Sequence, residues 1–209
     1  MAGAPIRTVI FDIGRVLIGL NIPRAQAGLA KGLPLSPREL WTAIERDPQW
    51  QPWQEGRISA QNWHTHLCSK FGVSLNFEEF TKVWNEVLEP EPLHANSFFE
   101  SLSKRYKLGL LSNTDPIHVA KLESTYDFFR YFPPSTRTYS CAIGCTKPLP
   151  MIYFEALRGC NSLAAEAVYI DDIPAYVDSA RELGLRGIVF KNGEQLREDL
   201  AALGVRFQD

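Results

Sequence analysis

The chain has 209 residues, 45% of them hydrophobic and 22% charged, which is ordinary globular composition with enough apolar mass for a substantial core. A formal charge of -2 and a pI of about 6.1 imply no basic face, so no nucleic-acid partner is expected. No apolar run is long enough to span a bilayer, Met1 to Arg7 lacks the basic-then-apolar pattern of a signal peptide, and Cys68, Cys141, Cys145 and Cys160 lack the second pair or flanking His of a zinc site, so reduced thiols in a cytoplasmic protein are expected.

Arg7 to Phe11 reads as a short buried strand whose apolar run stops at Asp12, with Gly14 in the turn beyond. A helix-rich stretch follows from about Pro23 to Leu88. Ser36-Pro37 is an N-cap with Pro in the first turn, opening a helix through Leu40, Trp41 and Ile44. Ser59 opens another through Trp63, Leu67 and Phe71, and Phe77, Phe80, Val83, Trp84 and Val87 continue at helical spacing. No strand pattern interrupts this region, and Pro90 and Pro92 end it, which marks a boundary. From there the pattern alternates. Phe98 to Tyr106 is a helix, Lys107 to Leu111 a strand ending at Ser112-Asn113-Thr114-Asp115, and Pro116 to Ser124 a helix. A loop with Pro133-Pro134 leads to an extended piece at Thr138 to Ser140. Then come a helix (Pro148 to Arg158), a strand ending at Asp171-Asp172 (Ala167 to Ile170), and a helix closed by Gly184 (Pro174 to Leu183). A strand (Arg186 to Phe190) and a last helix (Gly193 to Leu203) complete the chain. Alternating strands and helices predict an α/β fold, a parallel sheet with helices on both faces, and ligands bind beyond the carboxyl ends of such strands. Asp12, Ser112-Asn113-Thr114 and Asp171-Asp172 should therefore share one sheet edge.

That edge carries the parts of a phosphoryl-transfer site. A carboxylate at Asp12 is a competent nucleophile toward phosphorus, because the acyl phosphate it forms is readily hydrolysed. Asp171 and Asp172 add charge that a cation must neutralise, and crowded carboxylate oxygens suit Mg²⁺. Ser112 or Asn113 could donate to a phosphate oxygen, and Lys147, ahead of Pro148 and a helix start, could hold positive charge beside Asp12. Taken singly, these are a turn residue, helix caps and a solvated lysine; their order and spacing carry the signal.

In that order the residues resemble the haloacid dehalogenase (HAD) superfamily. Val9-Ile10-Phe11-Asp12-Ile13-Gly14-Arg15-Val16-Leu17 looks like its first motif, Leu111-Ser112-Asn113-Thr114 the second, Lys147-Pro148 the third, and Val168-Tyr169-Ile170-Asp171-Asp172 with Ala180 through Gly184 the fourth. The helical stretch after motif one resembles the cap domain of subfamily I. The Asp-x-Gly-x-Val form of motif one, Trp53 to Ser59 and Arg24 look like the subfamily IA branch that includes glucose-1-phosphate phosphatase-like proteins. The resemblance implies a Rossmann-like doubly wound parallel core over 1–20 and 91–209, with a helical cap inserted over 21–90. It implies a Mg²⁺-dependent phosphatase acting on a small phosphorylated metabolite, plausibly a sugar phosphate, through an aspartyl-phosphate. Asp12 would attack phosphorus and bind the metal with the Gly14 carbonyl and Asp172, Asp171 supporting the metal shell. Ser112 and Asn113 would contact the phosphoryl group, Lys147 would orient Asp12, and Arg24 with the Trp50, Trp53, Glu55 segment would face the substrate, unless the tryptophans are cap core.

Two departures stand out. Gly14 occupies the position where HAD phosphatases place a second Asp as general acid and base, a group worth roughly 10²–10⁴ in rate. His64, His66 or a metal-bound water are possible substitutes, although a packed or solvated helix-face histidine is the simpler reading of each. Tyr176 stands where many relatives have Asn or Asp, and Arg15 beside the nucleophile either binds phosphate or points to solvent. Two alternatives follow: a dehalogenase-like hydrolase in which Asp12 attacks carbon, or a catalytically weakened phospholigand-binding protein.

Overall fold

A computed structural model describes residues 4–207. Residues 1–3, part of the N-terminal stretch read above for a leader pattern, and 208–209 lie outside the described residues. A five-stranded sheet forms the centre, from β1 (Thr8–Phe11), β4 (Lys107–Ser112), β5 (Arg137–Tyr139), β6 (Ala167–Asp171) and β7 (Arg186–Val189), in the order β5-β4-β1-β6-β7. All neighbours are parallel. Alternation along each strand divides the core into two layers. Val9 and Phe11 join Leu108, Leu110, Val168 and Ile170 on one face, while Ile10, Leu111, Ala167 and Tyr169 face the other. Helices α6 (Asn96–Ser103) and α11 (Gly193–Ala202) cover the first face, and α9 (Pro150–Gly159) and α10 (Pro174–Glu182) the second. β1 lies between β4 and β6, with Phe11 opposite both Leu110 and Ile170. The next residues, Asp12, Leu111-Ser112 and Asp171, therefore emerge level with one another, as the sequence predicts.

Residues 22–85 form five helices: α1 (Ile22–Leu29), α2 (Pro37–Glu45), α3 (Trp50–Gln54), α4 (Ala60–Phe71) and α5 (Phe77–Asn85). Their starts follow from local chemistry. Ser36 with Glu39 and Asn76 with Glu79 form reciprocal capping boxes, and Ser59 caps α4. Their apolar faces meet in a core of their own, built on Leu40, Trp41, Trp53, Trp63, Leu67, Phe80 and Trp84, with Trp53 and Trp63 stacked at 5.6 Å. A fully buried side chain of this size is worth roughly 1.5–3 kcal/mol, against a few tenths for an exposed helix pair. The shared apolar core, not propensity, holds these short helices. Of the two tryptophans weighed above as substrate-facing or core, Trp53 is sealed in that core, while Trp50 packs against it and also borders a cavity.

Two features differ from the sequence expectation. Pro90 and Pro92 do not only end a helical region: they lie in β3 (Leu88–Pro92), which pairs antiparallel with β2 (Ile18–Leu20). Pro is tolerated there because a two-stranded ribbon leaves half of its N–H groups outside the ladder, and Pro90 and Pro92 are exposed. The ribbon joins the helical unit to the sheet. The chain also approaches itself closely at Gly56, whose φ is +66° and where a Cβ would stand 1.9 Å from the Cys141 carbonyl oxygen. Only glycine lets the turn after α3 seat against α8 (Ser140–Ile143). Among the described residues no helix is long and apolar enough to cross a membrane.

Candidate active site

Asp12 follows β1 directly, is only 7% exposed, and donates its backbone N–H to Ile170 O at 2.8 Å. The side chain of Lys147, 4% exposed, lies against it: Nζ donates to Asp12 Oδ1 and Asp171 Oδ2, each at 2.7 Å, and to Leu111 O at 3.3 Å. Burial pushes Asp12 up, Lys147 pulls it down and Asp171 pushes it up again, leaving it raised to about 6. Burial opposes the charge on Lys147, but the two carboxylates and their hydrogen bonds outweigh it and hold the ammonium above its ordinary value. The lysine reaches this point because Asn113 grips its backbone: Lys147 N–H donates to Asn113 Oδ1 at 2.8 Å, and Asn113 Nδ2 donates to Lys147 O at 3.2 Å. The Lys147-Pro148 peptide is cis.

Asp171 is completely buried and has both oxygens engaged. Oδ2 takes Lys147 and the Tyr169 hydroxyl, and Oδ1 accepts from Ile173 N–H at 2.8 Å. Burial, then the charges of Asp171 and Asp12, keep Tyr169 a neutral phenol, able to donate. Asp172 is half-buried. Burial and Asp171 raise its pKa, and Arg15, 3.8 Å away, works against them. One oxygen each of Asp12, Asp171 and Asp172 lie within 4.8 Å of one another. The turn after Asp12 closes through Leu17 and Ile18 N–H to Ile13 O and through Arg15 N–H to Ile18 O, which leaves the Gly14 carbonyl outside these bonds. Oxygen donors alone, two of them ionisable and facing a cavity, fit a hard cation such as Mg²⁺ and not a thiophilic or imidazole-seeking metal.

Two adjoining cavities open here. The first, about 180 Å³, is lined by Asp12, Gly14, Arg15, Ser112, Lys147, Asp172 and Tyr176 among others. The second, about 220 Å³, runs on between the sheet edge and the helical unit, and Gly14, Leu20, Ser112 and Asn113 border both. The Ser112 hydroxyl makes no hydrogen bond among the described residues and faces this shared space.

Searched against family models, the chain matches none. Among curated proteins it is similar to the D-ribitol-5-phosphate phosphatase of Bacteroides thetaiotaomicron, 26% identical over 207 residues, covering 95% of this chain and 98% of that one. Among solved structures it is similar to a predicted HAD-like family hydrolase from Porphyromonas gingivalis (TM-score 0.78, 29% identity, 97% and 100% of the two chains). The chain is a HAD-like hydrolase. A HAD family enzyme from Bacteroides thetaiotaomicron, complexed with magnesium and inorganic phosphate, shares the fold (TM-score 0.78, 24% identity, 90% and 96% covered).

Within this HAD-like hydrolase, several sequence expectations are redirected. Arg24 is turned away from the substrate space: it lines neither cavity and pairs with Glu89 on β3 at 3.3 Å, because the first turn of α1 lies beside that ribbon. Asn113 borders both cavities, and its side chain also holds the Lys147 backbone through Oδ1 and one Nδ2 hydrogen, which leaves the second Nδ2 hydrogen available. Tyr176 sets its ring 5.1 Å from Lys147 Nζ, a cation–π contact. His64 bonds Leu75 O at 2.8 Å and His66 faces Asp47 at 3.1 Å, and neither lines a cavity, so neither replaces an acid at position 14. A Cβ at Gly14 would meet Leu20 Cδ1 at 3.0 Å, so Leu20 fills the space into which a side chain at 14 would project.

Sequence reasoning missed a buried pair beside the site. Asp115 caps α7 (Pro116–Thr125) and accepts from Trp84 Nε1 at 3.0 Å and His118 Nδ1 at 2.7 Å, while His118 Nε2 meets Trp84 O at 3.0 Å. Both imidazole nitrogens thus face acceptors, which requires the imidazolium. The Asp-x-x-His spacing on one helix was the available signal, but only the fold shows that the pair grips α5.

Proposed function

We propose that this HAD-like hydrolase is a Mg²⁺-dependent phosphatase that hydrolyses a small phosphorylated metabolite through phosphoryl transfer to Asp12. The observation that carries the reading is a buried carboxylate at a strand end, fixed by Lys147 on one oxygen and facing, with Asp172, a polar cavity that leads into a larger one. The similar protein named as a D-ribitol-5-phosphate phosphatase and the related fold holding magnesium and phosphate support it.

In this mechanism Asp12 forms a bond to phosphorus as the bond from phosphorus to the alcohol oxygen breaks. The alkoxide oxygen leaves with the electron pair and takes a proton from a water molecule. Water then attacks phosphorus and gives up a proton to solvent, the bond from phosphorus to the Asp12 oxygen breaks with its electron pair staying on that oxygen, and the carboxylate is restored as phosphate departs. Lys147 holds Asp12 in place and balances the charge of Asp12 and Asp171. Ser112 Oγ donates to a phosphoryl oxygen, and Arg15 adds positive charge at the cavity rim. Asp12, Asp172 and the Gly14 carbonyl would hold the magnesium ion, which when bound offsets phosphate charge. Helices α1 to α5, over 21–90, act as the cap that covers the alcohol portion. With Gly14 at the usual acid position, no side chain there protonates the leaving oxygen. Attack on carbon is disfavoured, because Asp172 facing the cavity without a cation would repel an anionic substrate.

Turnover of an aryl phosphate, whose leaving group hardly needs an acid, is expected with Mg²⁺ and should vanish with chelator. Asp12→Asn should lower it by about 10⁴-fold or more. Turnover that persists in chelator or in Asp12→Asn would contradict the reading.

A further inference from the structure

The larger cavity carries information about the alcohol portion of the substrate, given the phosphatase reading above. Its walls include Trp41, Trp50, Trp84, Leu20, Ile22 and Leu88. Its charged lining consists of Asp115, His118 and Glu45. Asp115 and His118 neutralise each other, and every polar atom of that pair is committed to protein partners. Glu45 is different. Its Oε1 accepts from Trp41 Nε1 at 2.8 Å, and no cation pairs with its carboxylate among the described residues. The side-chain amide of Gln54 and the indole N–H of Trp50 also make no hydrogen bond among the described residues. The cations of the site, Lys147 and Arg15, line the other cavity. Both cations thus stand beside the carboxylates of the phosphoryl cavity, and the larger cavity keeps a single unbalanced negative charge, Glu45, where the alcohol portion ends.

An enclosed apolar cavity of about 150 Å³ accepts a benzene ring, so this open cavity of about 220 Å³ has room for one ring and a substituent. An open-chain polyol would leave many hydroxyls against tryptophan and aliphatic walls with few free partners, which is costly. We propose that the substrate is a monophosphate of a single-ring, apolar-faced alcohol that is neutral or amine-bearing at its far end, with Glu45 selecting against a second anionic group.

The test compares kcat/KM of the full chain with Mg²⁺ on benzyl phosphate, para-(aminomethyl)benzyl phosphate, para-carboxybenzyl phosphate and an open-chain pentitol phosphate. The amine-bearing substrate is expected to lead benzyl phosphate, and benzyl phosphate the carboxylate, by about threefold to tenfold at each step. Benzyl phosphate should also exceed the pentitol phosphate. Glu45→Lys should reverse the order of amine and carboxylate. Glu45→Gln, which can still accept from Trp41, should flatten that order. Mg²⁺-dependent turnover with no preference along the benzyl series, an order unmoved by Glu45→Lys, or a preferred pentitol phosphate would overturn this inference and leave the phosphatase reading standing. No Mg²⁺-dependent turnover on any of the four, nor on an aryl phosphate, would overturn both.

Discussion

Lys147→Met is expected to abolish turnover and to lower the stability of the metal-free protein by about 3–5 kcal/mol near neutral pH. Lys147 is the cation between two carboxylates, bonded to each at 2.7 Å and almost sealed from solvent. Methionine keeps the volume and removes the charge. Asp12 and Asp171 are then left buried and unpaired, which is the costly half of breaking a buried ion pair. The loss should depend on pH with a definite sign. Without Lys147, the charge that pulls Asp12 down is gone and its pKa climbs further above the ordinary 3.8. The folded variant then binds a proton more readily than its unfolded chain, so its deficit shrinks as pH falls through the raised value and is full above it. Urea unfolding of both proteins in chelator at two pH values checks this. An equal deficit at acid and neutral pH would contradict the assigned pairing. Lys147→Arg should not restore activity, because the planar guanidinium cannot occupy a site built around a single ammonium donor between Asp12, Asp171 and Leu111 O.

Asp115→Ala is the second large effect expected, about 3–5 kcal/mol of stability with a rise in KM greater than the fall in kcat. The carboxylate receives four donors: the Ile117 and His118 N–H groups at 3.0 Å each, Trp84 Nε1 at 3.0 Å and His118 Nδ1 at 2.7 Å. The lost cap alone costs about 1 kcal/mol, and each orphaned buried donor about 1–3 kcal/mol. Trp84 belongs to the helical unit and Asp115 to the turn after β4, so the substitution frees the wall of the larger cavity while leaving Asp12, Lys147 and Asp172 in place. Burial alone would raise Asp115, but His118 and the other donors outweigh it and hold it below 3.8. Burial alone would lower His118, but Asp115 outweighs it and holds it above 6.5. The contribution of Asp115 is present above its unfolded pKa and is lost as pH falls through the depressed folded value. That of His118 is present below 6.5 and is lost as pH rises through the raised folded value. The gap between wild type and Asp115→Ala should therefore be widest between those limits and narrow at alkaline pH. A gap that stays constant at alkaline pH would show that His118 is not held charged.

The parallel core was legible because its strands are buried on both faces. Val9 to Phe11, Leu108 to Leu111 and Val168 to Ile170 are apolar runs that end abruptly in polar residues, and β1 running between β4 and β6 brings those ends together. Asp12 and Lys147 were singled out by the order and spacing of the motifs, since either alone reads as a turn residue or a solvated lysine, and their burial and 2.7 Å contact come from the fold. The β2–β3 ribbon was not legible, since Pro90 and Pro92 break both helix and strand patterns and a short edge ribbon needs only a few pairings. Arg24 misled because the partner that claims it, Glu89, lies far along the chain. The hold of Asn113 on the Lys147 backbone was not legible, because the two residues meet only through the fold. Tyr169 and His118 were invisible as site neighbours because their contacts, with Asp171 and with Trp84, are set by side-chain direction and tertiary packing, which spacing alone does not give.

The most direct test of the account is acid-quenched mass spectrometry of the protein during turnover of an aryl phosphate with Mg²⁺. The peptide containing Asp12 is expected to gain the mass of one phosphoryl group, to lose it by hydrolysis once the substrate is exhausted, and never to show it in Asp12→Asn. Robust turnover with no phosphoryl group on that peptide at any quench time, or with the group on another residue, would contradict Asp12 as the nucleophile.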